Sequence, residues 1–249
     1  MARFFVNPEN ITADKAIIEG DELRHLAQVL RLRLGEQLVL LDDIGMQYDC
    51  VLEELTKERA TARIFDRREN VAESDLRLWL AQGLPKGDKM EEIVKKAVEL
   101  GVTGIIPLEM NRCVVRLDTK EKKISRQERL QKVAREAVKQ CGRSRTPVVM
   151  EPCALVDIKD LLDDFITVVP WEEGGIPIKD WIQSQSGRGL PDKDIIIVIG
   201  PEGGIEKCEI DYITQSGGIA VSLGQRILRT ETAGPAVISV LQYEWGDLG

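Results

Sequence analysis

Histidine is all but absent from this chain of 249 residues: His25 is the only one. That excludes a multi-histidine metal centre and argues against a Ser-His-Asp triad in the core. His25 sits among Arg24, Arg31 and Arg33, which reads as a surface or RNA-facing position rather than a catalytic base. Cysteines are few and scattered (Cys50, Cys113, Cys141, Cys153 and Cys208), odd in number and never in C-x-x-C spacing. Such a set forms neither a disulfide framework nor a zinc site, and suits reduced, structural thiols. No apolar run approaches the roughly 18 residues of a membrane span. The opening MARFFVNPEN has no apolar core of a secretory signal, so cytoplasmic residence is expected. Neither G-x-x-x-x-G-K-[ST] nor G-x-G-x-x-G occurs at the glycine-rich turns, which disfavours P-loop and Rossmann dinucleotide sites. Internal repeats and low-complexity tracts are also missing.

What is present describes a soluble protein with a real core, hydrophobic at 43% and charged at 31%. The length suits one large or two modest domains. Net charge is −8, but Asn111 to Pro147 carries twelve Lys or Arg against four Asp or Glu. A block this lopsided is either a phosphate-binding face or a solvated helix surface, and charge alone leaves both readings open.

Taken in order, residues 1 to about 70 are β-rich. Arg3 to Val6, Glu36 to Leu41, Met46 to Glu53 and Thr61 to Phe65 read as strands, with a turn at Asp42-Asp43-Ile44-Gly45. One helix interrupts them, starting near Asp21 or Glu22 with Leu23, Leu26, Ala27 and Leu30 on one face. Short strands with one helix suggest a small barrel. Asp66 to Ser74 is polar and poor in β-branched residues, which predicts a linker. Beyond it strands and helices alternate, and repeated βα units imply a parallel sheet covered on both faces. Leu76 to Gln82 is the first strand. Asp88 to Leu100 is a helix with Asp88 at the N-cap, Glu91 three residues on and Gly101 at C′. The strand Gly104 to Leu108 follows, then a helix over Ser125 to Cys141 opened by a Ser125/Glu128 capping box. Helix Asp157 to Asp164, strand Ile166 to Val169 and helix Ile178 to Gln185 complete the approach to the C-terminal third.

That third is where the chain is organised. Ile195 to Ile199 is five β-branched residues, a strand buried on both faces. It turns through Gly200-Pro201-Glu202-Gly203-Gly204, where adjacent glycines allow positive φ and close approach of a ligand to bare N–H groups. A second strand, Ile219 to Leu223, runs into Gly224-Gln225-Arg226-Ile227-Leu228-Arg229-Thr230-Glu231-Thr232. Two polar loops at the ends of two buried strands are the usual place for a ligand in an α/β sheet. The plain alternative is a tight connection followed by a helix N-cap. A last helix, Glu231 to about Trp245, begins inside the second loop and aims its N-terminal N–H groups at the same place.

These residues carry a resemblance. IGPEGG followed by VSLGQRILRTETA, with RHLAQVLRLRLGE and LPKGDKMEEIVKKAVELGVTGIIPL, resembles the RsmE-type methyltransferases, which methylate N3 of a uridine in small-subunit (16S) ribosomal RNA. They belong to the SPOUT superfamily. The resemblance implies an α/β fold: a parallel-sheet methyltransferase domain over 71–249 with a C-terminal trefoil knot, preceded over 1–70 by a PUA-like RNA-binding barrel. It further implies a homodimer with S-adenosyl-L-methionine as cofactor, small-subunit ribosomal RNA as partner, and neither metal nor membrane.

On that footing the cofactor-binding residues are expected to be Gly200, Pro201, Glu202, Gly203, Gly204, Ser222, Leu223, Gly224, Ile227, Leu228, Thr230 and Thr232. Pro170-Trp171-Glu172-Glu173 would form a third wall. RNA contacts are expected from Arg3, Arg24, Arg31, Arg33, Arg112, Arg126, Arg129, Lys132, Lys139 and Arg143. Methylating N3 removes an imide proton, and a cation beside the carbonyl oxygens stabilises the imidate. Arg229 suits that role, with Glu231 or Glu202 as proton acceptors. Arg229 could equally brace the loops through a salt bridge to Glu231 or Glu202. Two other functions stay open: a catalytically silent RNA-binding ribosome assembly factor, and a nucleotide enzyme using the glycine loop as an anion nest.

Overall fold

The computed structural model describes residues 1–185 and 191–249, and they divide into two compact units. The smaller comprises Met1–Glu73 together with Val138–Thr146. Its strands are β1 (Ala2–Phe5), β2 (Lys15–Ile18), β3 (Gln37–Leu41), β4 (Met46–Leu55) and β5 (Ala60–Glu69). They form one sheet in the order β1-β3-β4-β5-β2, with β1 parallel to β3 and the other pairs antiparallel. Alternate residues of every strand converge on a single core: Phe4, Ile18, Leu38, Leu40, Cys50, Leu52 and Ala62. A sheet whose strands all face one core is curled. Helix α1 (Gly20–Arg24), continued by a π-helical turn over His25–Val29, adds Leu23 and Leu26 to that core. Leu30, expected on the same apolar face, is 44% exposed because the π turn rotates it outward.

The expected linker is ordered. Asp66–Glu69 extend β5 against Met46–Asp49. Asn70 donates to the Gly142 carbonyl at 2.8 Å, and Glu73 accepts from the Ser144 and Arg145 amides and from Arg143. Those partners lie some seventy residues away, beyond what local polarity reports.

The larger unit comprises Ser74–Ala137 and Pro147–Gly249. Its strands are β6 (Leu78–Gly83), β7 (Gly104–Glu109), β8 (Val148–Val149), β9 (Cys153–Ala154), β10 (Ile166–Pro170), β11 (Ile176–Pro177), β12 (Ile195–Ile199) and β13 (Ile219–Ser222). All pairs are parallel, in the order β11-β13-β10-β12-β6-β7-β8, with β9 also on β7. Every residue of β12 is buried, as the unbroken β-branched run requires. Ile196 and Val198 share a core with Ile210 and Ile213 of α6 (Lys207–Gln215). Helix α7 (Thr230–Trp245) lies against β12, β6 and α2 (Lys89–Glu99). The remaining helices are α3 (Lys120–Cys141), α4 (Lys159–Asp164) and α5 (Ile178–Gln185).

Two expected capping boxes are absent. Helix α3 starts five residues before Ser125, where the Thr119 hydroxyl accepts from the Lys122 amide, so Ser125 and Glu128 lie inside it. Asp88 precedes α2 but caps nothing with its side chain; Arg129 reaches both Asp88 and Glu91 instead. Gly101 does end α2 in the left-handed conformation, with φ of 86°. Cys50, Cys113, Cys141, Cys153 and Cys208 are all free, and burial pushes the Cys50 thiol up to about 12.

Gln242 on α7 closes the α2 terminus. Fully buried, it donates to the Leu100 carbonyl at 3.1 Å and accepts from the Ser74 hydroxyl at 2.8 Å. Replacing it with Leu removes both bonds. The expected cost is about 1–3 kcal/mol of stability, read from urea unfolding. An unchanged midpoint would show that the bonds contribute nothing.

Candidate active site

Four adjacent strands of the larger unit, in the order β13-β10-β12-β6, release their loops at the carboxyl edge of the sheet. After β12 the chain turns through Gly200–Gly204, the Gly204 amide closing on the Pro201 carbonyl at 2.9 Å. Gly204 has φ of 75°, and a Cβ there would lie 2.2 Å from a carboxylate oxygen of Glu172. Gly203 needs no positive φ; it packs against Arg112, whose Nη1 donates to its carbonyl at 2.9 Å.

The loops from β12 and β13 are joined by one buried hydroxyl. Thr230 Oγ1 donates to the Gly200 carbonyl at 2.7 Å and accepts from the side-chain amide of Gln82 at 2.9 Å. This seats the first residue of α7 on the end of β12. Arg229 is the N-cap residue, its carbonyl accepting from the Thr232 and Ala233 amides.

Between the loops lies a cavity of about 330 Å³, lined by Lys89, Glu172, the turn Gly200–Glu202 with Gly204, and Ile227–Glu231. A second of about 200 Å³ is lined by Trp171 and Ser222–Leu228. Both include Pro170, Glu172, Ile227, Leu228 and Ala233, so they form one continuous trough. Of the expected cofactor residues, Gly200, Pro201, Glu202, Gly204, Ser222, Leu223, Gly224, Ile227, Leu228 and Thr230 line it. Gly203 and Thr232 do not line either cavity: Gly203 is turned to Arg112, and Thr232 is exposed on the first turn of α7.

Charge in the trough is set by Lys89, a residue the sequence reading passed over. Its Nζ lies 3.0 Å from Glu202 and 3.4 Å from Glu231. The Glu202 hydrogen bond, then that of Glu231, raises the Lys89 pKa. Burial pushes the Glu202 carboxyl up, but the backbone amides of Glu202 and Lys86 and the Lys89 ammonium outweigh it and leave the pKa lowered. Glu231 is lowered by its own amide, then by Lys89. Carboxylates held ionised beside an ammonium are weak proton acceptors, which counts against the role expected of Glu202 and Glu231. Arg229 also reaches Glu231, with Nη1 at 4.0 Å, but at 85% exposed it braces the loops weakly. A signal for Lys89 did exist, because a lysine opening a helix opposes the macrodipole and wants an external reason.

The residues expected to meet RNA are split by the structure. Arg24, Arg31, Arg33 and Lys132 are exposed. Arg24 pairs with Asp21, Arg31 reaches the Gln28 carbonyl, and Arg129 pairs with Glu91. Arg126 is half-buried, and Arg3 donates to the Lys139 carbonyl. Lys139 and Arg143 are corrections. Lys139 is 10% exposed and paired with Glu22 at 2.7 Å, and Arg143 is 7% exposed and paired with Glu73 at 3.0 Å. Both hold the smaller unit together rather than face a ligand. His25 packs edge-on against Phe4.

Comparison with known proteins follows the same division. A family model described as an RNA methyltransferase domain matches residues 72–242, and one described as an RNA methyltransferase PUA domain matches 18–65. The chain is 34% identical over 252 aligned residues to ribosomal RNA small subunit methyltransferase E of Bacillus subtilis, covering 98% of this chain and 97% of that one. The Mycobacterium tuberculosis protein of the same name is 32% identical, over 97% of this chain and 92% of its own. A crystal structure of ribosomal RNA small subunit methyltransferase E from Neisseria gonorrhoeae, bound to S-adenosyl methionine, matches with TM-score 0.86 at 32% identity, covering both chains in full. A Legionella pneumophila methyltransferase with its bound cofactor matches with TM-score 0.87 at 32% identity, over 99% of each chain.

The lysine bridge fixes a pH dependence. The lowered Glu202 and Glu231 contribute stability that is present above about 4.3, the ordinary glutamate value, and is lost as pH falls through their folded values. The raised Lys89 contributes stability present below about 10.4 and lost above it. The stability difference between the protein and Glu202→Gln, measured by urea unfolding, should be flat between those limits and shrink toward zero in acid. A difference that persists undiminished below pH ~3 would contradict the bridge.

Proposed function

The chain belongs to the ribosomal RNA small subunit methyltransferase E family, and from that premise we propose that it methylates N3 of a specific uridine in 16S ribosomal RNA, with S-adenosyl-L-methionine as donor. The observation that carries the reading is the trough at the sheet's carboxyl edge, with a largely exposed arginine at its rim. Its chemistry fits the cofactor. Ile227, 84% exposed, offers an apolar face to a purine, and the bare backbone of Gly204 and Gly224 permits close approach. Glu172 supplies negative charge for a sulfonium and an ammonium. Gly200–Gly204 and Leu223–Leu228 would hold it.

When bound, the cofactor supplies a methyl group on a sulfonium sulfur, which retains the electron pair of the broken C–S bond. The chain's own residues do the rest. Arg229 donates to the uracil carbonyl oxygens and stabilises the imidate left when N3 gives its proton to water. Lys89, Glu202 and Glu231 keep the two loops in place. Orientation is the larger contribution, on the order of 7–11 kcal/mol at best. The base must be splayed from its stack to bring N3 to the trough.

The same proposal assigns 1–70 as the PUA-like RNA-binding domain and 71–249 as the SPOUT methyltransferase domain. It includes the trefoil knot, supported by α7 running back over β6 and β12 with Thr230 tied to Gly200. It includes a homodimer, supported by Val240 and Tyr243 exposed on α7. A ribosomal substrate places the reaction in the cytoplasm; no helix among the described residues is long and apolar enough to cross a membrane.

Single-turnover transfer of labelled methyl to small ribosomal subunits lacking the modification tests the assignment. Arg229→Ala should slow it by roughly 2.7–4 kcal/mol, the scale of one lost oxyanion donor. Cofactor and RNA affinity should change far less, because the contact strengthens only in the transition state. Parallel losses of cofactor affinity and melting temperature, with a normal rate at saturation, would overturn the role of Arg229. Gly204→Val should abolish cofactor binding in calorimetry while the protein stays folded, since the side chain meets Glu172 and the backbone resists positive φ. Normal affinity would place the cofactor elsewhere.

A further inference from the structure

The glycine turn is held by side chains from two different loops. The Lys86 amide and the Lys89 ammonium hold the Glu202 carboxylate. Arg112, in the loop that follows β7, holds Gly203: its Nη1 donates to the Gly203 carbonyl at 2.9 Å, and its Nε lies 3.6 Å from Glu206. A Cβ on Gly203 would stand 3.0 Å from Arg112 Cβ, so the contact needs a glycine there. The loop bearing Arg112 is itself fixed. The Asn111 amide donates at 2.9 Å to Glu209, which is 7% exposed, and Arg116 donates to the Met110 and Asn111 carbonyls at 3.2 and 3.0 Å. The Gly203–Gly204 peptide is therefore bonded at both ends, its carbonyl to Arg112 and its amide to the Pro201 carbonyl at 2.9 Å. A peptide unit is planar, so holding both ends fixes its orientation. The Arg112–Glu206 pair lies at the surface, 41% and 39% exposed, and adds little to global stability.

We propose that Arg112 is a positioning residue for the cofactor rather than an RNA contact: through the Gly203 carbonyl it sets the glycine turn in its binding conformation before S-adenosyl-L-methionine arrives. This rests on the cofactor reading of the trough. Three of the five residues Gly200–Gly204 are glycine, which leaves an unheld turn many conformations. Without the guanidinium the cofactor must order the turn itself, and that cost comes out of its affinity. Once bound, the cofactor sits as before. The effect therefore falls on binding and not on the transfer step.

Arg112→Met keeps most of the side chain's length and removes its donors. Calorimetry should then show S-adenosyl-L-methionine affinity lower on the order of tenfold, the scale of one lost hydrogen bond to a charged group. The single-turnover rate at saturating cofactor should stay near normal. Affinity for a 16S ribosomal RNA transcript without cofactor, and its slope against salt, should not change. Glu206→Gln leaves the Gly203 bond in place and should bind the cofactor normally. An RNA contact gives another pattern: a weaker RNA complex, a salt slope shallower by about one, and unaltered cofactor affinity. A general brace gives a third, a lower urea midpoint with the cofactor affinity of the folded protein intact. Either of these overturns the inference, as does Glu206→Gln binding the cofactor as weakly as Arg112→Met, which would move the effect to the ion pair. Should Arg112→Met not fold, Arg112→Gln carries the same comparison. Failure of the unaltered protein to bind S-adenosyl-L-methionine, by contrast, removes the functional reading itself.

Discussion

One buried hydroxyl organises the site. Thr230 gives its proton to the Gly200 carbonyl and takes one from Gln82, which is fully buried. Bonds to a buried hydroxyl are strong, and the alternative is an unpaired carbonyl at the end of β12. The consequence is geometric. With Thr230 seated there, Arg229 must stand at the mouth of the trough and Glu231 must enter the first turn of α7 beside Lys89. The glycine turn and the second loop belong to strands that do not touch, β12 and β13, since β10 runs between them. Thr230 brings their loops together.

Charge follows a second rule: two carboxylates of the trough, Glu202 and Glu231, are paired before any ligand arrives. Lys89 meets Glu202 and Glu231, and Arg112 reaches Glu206 and the Gly203 carbonyl. Arg229 stands mostly in solvent, 85% exposed and 4.0 Å from Glu231. An exposed guanidinium beside paired acids is suited to charge that develops during the reaction rather than to charge already present. The same economy explains how a protein of net charge −8 can meet an anionic partner. Its exposed arginines are local, while Lys139 and Arg143 of the basic block face inward to Glu22 and Glu73.

Elements set by local pattern were legible from the residues. The run Ile195–Ile199 is a strand buried on both faces, Ile178–Gln185 is a helix with those bounds, and Gly101 ends α2. The two loops were legible because glycine, arginine and threonine cluster there against apolar strands. What local pattern missed depends on distant partners. Asp66–Glu69 looked like a linker because its strand partners begin at Met46. Lys139 and Arg143 looked like surface cations because Glu22 and Glu73 are remote in sequence. Ser125 and Glu128 matched a capping box, yet Thr119 begins the helix earlier. Glu202 and Glu231 looked like bases until Lys89 was placed between them. Gly203 and Gly204 are equivalent in sequence, and only the backbone shows that Gly204 carries the positive φ.

The central claim is that this chain places one methyl group on N3 of one uridine in small-subunit ribosomal RNA. Mass-spectrometric mapping of 16S ribosomal RNA, from cells with and without the gene, tests it most directly. The account predicts a single N3-methyluridine that disappears on deletion, returns with the intact gene, and does not return with Arg229→Ala. An unchanged set of methylated uridines on deletion would contradict it.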